Sequence, residues 1–192
     1  MCHFDKKTIR HIFSKDFAVL LIILTIMLLI FSYALWAAHL SNNTVLIKTV
    51  PEFRIYITIG VISGFIFAGR AAYSRSINKT PKYILKIFLV GFCFGFIFIL
   101  NIFDVYVYLF PDKIINYTSD FDIVYPGPYR GKRGHCEAGL WIKDTNTNRW
   151  IQLCINQATL VRKKEEGMDE VWVTARVNKL GSYIVDYQFI YK

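Results

Sequence analysis

Hydrophobic positions are arranged in two different ways along this chain, and the change falls near Pro111. Up to that point apolar residues run on in three long blocks; beyond it they come in short segments that alternate with polar residues or stop at turn formers. Continuous blocks of this length indicate helices in lipid, and alternation with a period of two indicates strands with one buried face. The first block, 17–38, is 22 residues without a charge. As a helix it reaches about 33 Å, enough to cross a hydrocarbon core about 30 Å thick. A cleaved signal peptide is the competing reading, because Lys6, Lys7, Arg10 and Lys15 precede the block and Ala37 and Ala38 end it. The block is long for a signal's apolar region and no Ala-x-Ala closes it, so an uncleaved anchor is expected.

The second block, 55–73, is interrupted by Gly60, Gly64 and Gly69 and carries Arg70 beside a basic loop. At a span's end the arginine can reach the interface along its aliphatic stem. The third, 84–110, is longer than a span requires, with the crossing expected over 84–106 and Asn101 and Asp104 toward its far end. A small slide or tilt of this helix would bring Asp104 to the interface.

After Pro111 the pattern predicts strands. Val171, Val173, Ala175 and Val177 alternate with Trp172, Thr174 and Arg176; Lys179, Leu180 and Gly181 make a turn; Tyr183, Val185, Tyr187, Phe189 and Tyr191 then alternate again, which is a hairpin. A second hairpin is predicted over 136–143 and 149–156 around Asp144, Thr145, Asn146, Thr147 and Asn148, residues that favour turns. With a short strand at 123–125, the expected fold is three transmembrane helices followed by a small antiparallel β domain of about five strands, barrel-like in shape. The stretch 126–134 holds two prolines and three glycines and is expected to be a loop; its Arg130, Lys132 and Arg133 make it a candidate contact for anionic headgroups or an acidic partner.

Charge sets the orientation. The net charge of +9 would suit nucleic acid, but residues 1–110 carry 11 Lys and Arg against 4 Asp and Glu, whereas 111–192 carry 12 against 10. The basicity belongs to membrane flanks, so no nucleic-acid partner is expected. Four basic residues precede the first span, five lie over 70–86, and only Lys48 and Arg54 over 40–54. The positive-inside rule then places residues 1–16 in the cytoplasm and the 111–192 domain on the far side, periplasmic in a bacterial inner membrane.

That topology sorts the four cysteines. Cys2 would be cytoplasmic and Cys93 within the membrane, which leaves Cys136 and Cys154 as the pair able to bond. A turn centred near Thr145 would set these two directly opposite each other, and a bridge there would contribute about 3 kcal/mol. A reactive-thiol reading of His135, Cys136 and Glu137 fails on strand geometry, because neighbouring side chains point to opposite faces. The sequence contains no Cys-x-x-Cys, His-Glu-x-x-His, nucleophile elbow or phosphate-binding glycine loop, so neither an enzyme nor a metal or cofactor is expected. Within the membrane, Gly60, Gly64, Ala68 and Ala72 recur every fourth residue, and Gly91 and Gly95 repeat the spacing. Such faces let helices approach closely, either within one molecule or between copies. The expected function is that of an anchor displaying a periplasmic β domain to a protein partner, in an envelope complex or as immunity against a toxin. An oligomeric pore or transporter subunit is the alternative.

Overall fold

The computed structural model describes residues 6–74, 80–130 and 134–192, and side chains from residue 17 onward. Among the described residues three helical stretches are long and apolar enough to cross a membrane: Phe17–Ser41, Glu52–Tyr73 and Pro81–Leu109. The chain divides into two compact units, Met1–Trp36 and Ala37–Lys192. The first is most of helix α1 (Lys6–Ser41); over 17–29 its apolar side chains are exposed on all sides, Leu28 and Leu29 by 65% and 66%. A helix that is hydrophobic all round and still exposed is built for lipid contact.

In the second unit, helices α2 (Glu52–Tyr73) and α3 (Pro81–Ile99) lie antiparallel in close contact. Tyr56, Gly60, Gly64 and Ala68 are the buried face of α2, and Gly91 and Gly95 that of α3. A Cβ on Gly64 would stand 2.8 Å from the Phe88 ring, one on Gly60 2.9 Å from Phe92, and one on Gly91 2.8 Å from Phe67 Cβ. Phenylalanines on each helix therefore fill the grooves that the other's missing side chains leave. Ala72, expected as the fourth step of the ladder, is exposed; the step that replaces it is Tyr56 at the other end.

The third block is two helices and not one. After Ile99 the chain turns through Asn101, in the left-handed region at φ 60°, and resumes as α4 (Ile102–Leu109). Asparagine tolerates that conformation better than other non-glycine residues, which places the break here. Asp104, which a slide of this helix would bring to the membrane interface, is packed within the protein and only 4% exposed.

The β domain is a six-stranded antiparallel sheet curled into a nearly closed barrel, in the order β1 (Thr44–Leu46), β6 (Gly181–Ile190), β5 (Glu170–Val177), β2 (Lys113–Val124), β3 (Ala138–Asp144) and β4 (Arg149–Ile155). The extra strand, β1, comes from the connection between the first two spans and pairs with β6 at the seam. The strand expected at 123–125 is the end of the much longer β2, which pairs along 113–120 with β5 and along 121–124 with β3. Where β2 parts from β3, the Ser119 hydroxyl replaces the ladder: it donates to Lys143 O at 2.9 Å and accepts from Lys143 N at 3.1 Å. Inward residues Leu140, Ile142, Leu153, Val171, Val173, Ala175 and Ile184 form the core, with Leu160 of the short helix α5 (Gln157–Lys163) among them.

Helix α4 is fused to one end of the barrel. Val107 is fully buried, Tyr108 packs edge-on to Tyr183 at 4.8 Å, and Asn178 donates to Phe110 O at 3.0 Å. The opposite end of β2 lies 11 residues further along the strand, up to about 36 Å at strand rise.

Candidate functional site

The remote end of the barrel carries a built projection. The stretch expected to be a loop is a small hairpin: Gly127 N donates to Cys136 O at 2.8 Å, Cys136 N to Pro128 O at 2.9 Å, and Arg130 N to Gly134 O at 2.7 Å. Tyr129 and His135 form its bridge. Glycine is required at 127, because a Cβ there would collide with the Ala138 carbonyl. Cys136 and Cys154 are disulfide-bonded with their Cα atoms 5.8 Å apart, which ties the hairpin to β4. They are not opposite one another as expected: the turn lies later, Cys154 faces Gly139, and Cys136 reaches it from outside the ladder. The hairpin holds Tyr125 and Tyr129 at 57% and 69% exposure, with the Tyr129 ring edge-on to His135 at 5.3 Å. Arg130 is exposed beside them, while Lys132 and Arg133 lie outside the described residues. His135 Nδ1 is hydrogen-bonded to Gly127 O at 3.0 Å, and Glu137 accepts from Gln157 N at 2.7 Å. The three residues that a thiol mechanism would need are thus all engaged in holding the hairpin and α5.

At the other end the barrel is locked by one carboxylate. Asp144 is fully buried and accepts four hydrogen bonds: from Tyr117 Oη at 2.8 Å, Ser182 Oγ at 2.9 Å, Thr147 N at 2.7 Å and Thr147 Oγ1 at 2.6 Å. These partners sit on β2, β6 and the β3–β4 turn. Burial, the Asp144 charge and the hydrogen bond to it raise the Tyr117 phenol above its ordinary range. One of the four donors is on Oδ1 and three are on Oδ2, and all come from the barrel itself, so this group is structural.

Between the lock and the helices lies a cavity of about 340 Å³ at the β1–β4 seam. Glu52 from the first turn of α2, Asp104 from the first turn of α4, Trp141 and Trp150 from the outer side of β3 and β4, and Arg149 from the first position of β4 line it. Arg149 also closes the seam, donating from Nη1 to Leu46 O at 2.6 Å. Next to it, an apolar groove of about 720 Å³ runs between the helix ends past Phe53, Tyr56, Phe96 and Leu100, and Glu52 belongs to both. Sequence reasoning missed this cavity because its residues come from positions between 41 and 152 that only the pairing of β1 unites. The signal that could have found it is the pair of isolated acidic residues Glu52 and Asp104 beside apolar blocks, of which the sequence pattern singles out Asp104 alone.

Among the described residues no group of three or more His, Cys, Asp or Glu side chains is placed to hold a metal ion. No family model, no curated protein and no solved structure matches this chain.

Proposed function

We propose that this chain is an inner-membrane protein of a bacterial envelope that displays its barrel on the periplasmic side and binds another protein there through the 125–136 hairpin. The observation that carries the reading is the pair of exposed tyrosines held on a disulfide-anchored projection. Tyrosine combines a large amphipathic contact area with little side-chain entropy to lose, and a rigid mount lowers the cost of association further. The position suits a protein better than a headgroup, since the hairpin is at the end of the barrel remote from α4. Its basic Arg130 favours an acidic partner surface.

The sidedness is supported by the Lys and Arg count and by β1. A strand donated by the first connection must lie on the same side of the membrane as the barrel it joins, and the antiparallel pair α2 and α3 returns the chain to that side. A disulfide belongs in the same oxidising compartment. The pore reading loses ground, because the glycine faces offered for oligomerisation are filled by α2 and α3 packing on each other.

The test is a photo-crosslinking amino acid placed at Tyr125 or Tyr129 of the full chain in intact cells, with Lys179 in the turn near α4 as control. A single discrete adduct from the hairpin positions, weakened by Arg130→Glu and absent from Lys179, is expected. No adduct, or the same smear from all three positions, would remove the proposal.

A further inference from the structure

We propose that the seam cavity and the adjoining groove form one site for an aminophospholipid, with the primary ammonium between Glu52 and Asp104, the phosphate diester toward Arg149, and an acyl chain along the groove. Independent observations converge on this ligand. The polar cavity brings two carboxylates and one guanidinium together with two indoles, a set that complements a headgroup carrying one cation and one anion. Carboxylates and aromatic faces together select an ammonium over other groups, and a guanidinium fork suits phosphate oxygens. The groove that meets this cavity at Glu52 is lined mainly by apolar and aromatic side chains, including Phe53, Phe96 and Leu100. Glu52, Phe96 and Leu100 all belong to stretches apolar enough to cross a membrane, and Glu52 opens its own. A polar cavity and a mainly apolar groove that share Glu52 at the end of membrane helices match a lipid more closely than a peptide or a soluble metabolite. The site does not depend on the hairpin, so it stands or falls separately from the protein-binding role.

The experiment is native mass spectrometry of the full-length protein in detergent, titrated with dioleoylphosphatidylethanolamine, dioleoylphosphatidylglycerol and free phosphoethanolamine. Losing one charge-assisted hydrogen bond corresponds to about tenfold or more in affinity, so the ethanolamine lipid should bind at least about tenfold tighter than the glycerol lipid. Glu52→Gln and Asp104→Asn should each bring that preference close to unity. Asp104 is buried and its variant can fail to fold; Glu52→Gln and Trp150→Ala, at partly exposed positions, then decide the question. Equal binding of the two lipids, or a preference untouched by Glu52→Gln and Trp150→Ala, overturns the proposal. So does competition by free phosphoethanolamine at the lipid's own concentration, which would make the ligand a soluble one.

Discussion

Replacing Asp144 by alanine should unlock the barrel, and the size of the loss can be worked from its partners. The carboxylate is fully buried and takes four hydrogen bonds from three separate pieces of chain. Deleting it strands the Tyr117 and Ser182 hydroxyls in a buried setting, at about 1–3 kcal/mol for each donor left without an acceptor. Thr147, in the turn, can recover one bond from water. The total is about 3–5 kcal/mol, in line with breaking a buried polar network and large against the 5–15 kcal/mol that typically holds a domain together. Asp144→Asn should lose a smaller share, because the amide keeps one acceptor oxygen but turns an NH2 toward donors. Thr147→Val removes a single hydroxyl and should cost about 1 kcal/mol. The assay is urea unfolding of the full chain in detergent, followed by near-ultraviolet circular dichroism of the barrel's aromatics. At about 2 kcal/mol per molar urea the alanine variant's midpoint should fall by about 2 M. A fall below about 0.5 M, or equal effects for Asp144→Ala and Thr147→Val, would refute the claim that one carboxylate joins β2, β6 and the β3–β4 turn.

Other perturbations read different parts of the same molecule. Gly64→Leu places side-chain atoms against the Phe88 ring and carbonyl and should cost about 1–3 kcal/mol or more, whereas Gly69→Leu, where a Cβ meets nothing within 4 Å, should be tolerated; thermal stability in detergent distinguishes them. Removing the 136–154 bridge by Cys154→Ser should cost about 3 kcal/mol by the loop-entropy estimate, and in a variant lacking Cys2 and Cys93 a membrane-impermeant maleimide should label the wild-type pair in intact cells only after reduction; labelling only in broken cells would place the barrel in the cytoplasm. Because the folded state holds the Tyr117 phenol protonated beyond its ordinary range, its contribution is intact below about pH 10 and is lost as pH rises above that, the unfolded chain ionising first; Tyr117→Phe should flatten this alkaline fall in a comparison of urea midpoints at pH 8 and pH 11.

The parts of this fold legible in the sequence are those fixed by local pattern. Apolar blocks of 22, 19 and 27 residues, each about as long as a bilayer core is thick or longer, are satisfied as helices, and the alternation of 171–177 fixes the register that buries Val171, Val173, Ala175 and Val177. In 183–191 the expected alternation breaks, because a bulge opposite Thr174 and Ala175 turns Ile184 inward and leaves Val185 exposed. What was not legible depends on encounters between distant segments. Thr44–Leu46 is three residues long, too short for any periodicity to show, and becomes a strand only because Gly181 lets it come close: a Cβ there would strike the Val45 carbonyl. The length of β2 was hidden because Ser119 and Tyr117 look like polar interruptions until their partners on β3 are known. The prolines and glycines of 126–134 predict a loop, yet backbone hydrogen bonds pair Gly127 with Cys136 and Arg130 with Gly134, and the disulfide holds the doubled-back chain in place.

The strand from the first connection changes what the β domain is. A cut at Pro111 looks natural by composition, but it would remove β1 from the seam, leave Arg149 without its Leu46 carbonyl, and strip α4 from Tyr183 and Arg176. Helix ends and barrel are therefore one piece of structure from Ala37 onward. The lipid site proposed at the seam and the tyrosines on the remote hairpin are then connected through β3 and β4: one end of this pair carries Trp141, Arg149 and Trp150, and the other carries the disulfide that positions the hairpin. Coupling between two sites requires differential binding to two states of some shared element, and this strand pair is the element both sites touch. If occupancy at the seam biases it, Glu52→Gln should alter crosslinking at Tyr129 with no change to the hairpin itself. Unaltered crosslinking would leave the two ends as independent sites on one rigid barrel.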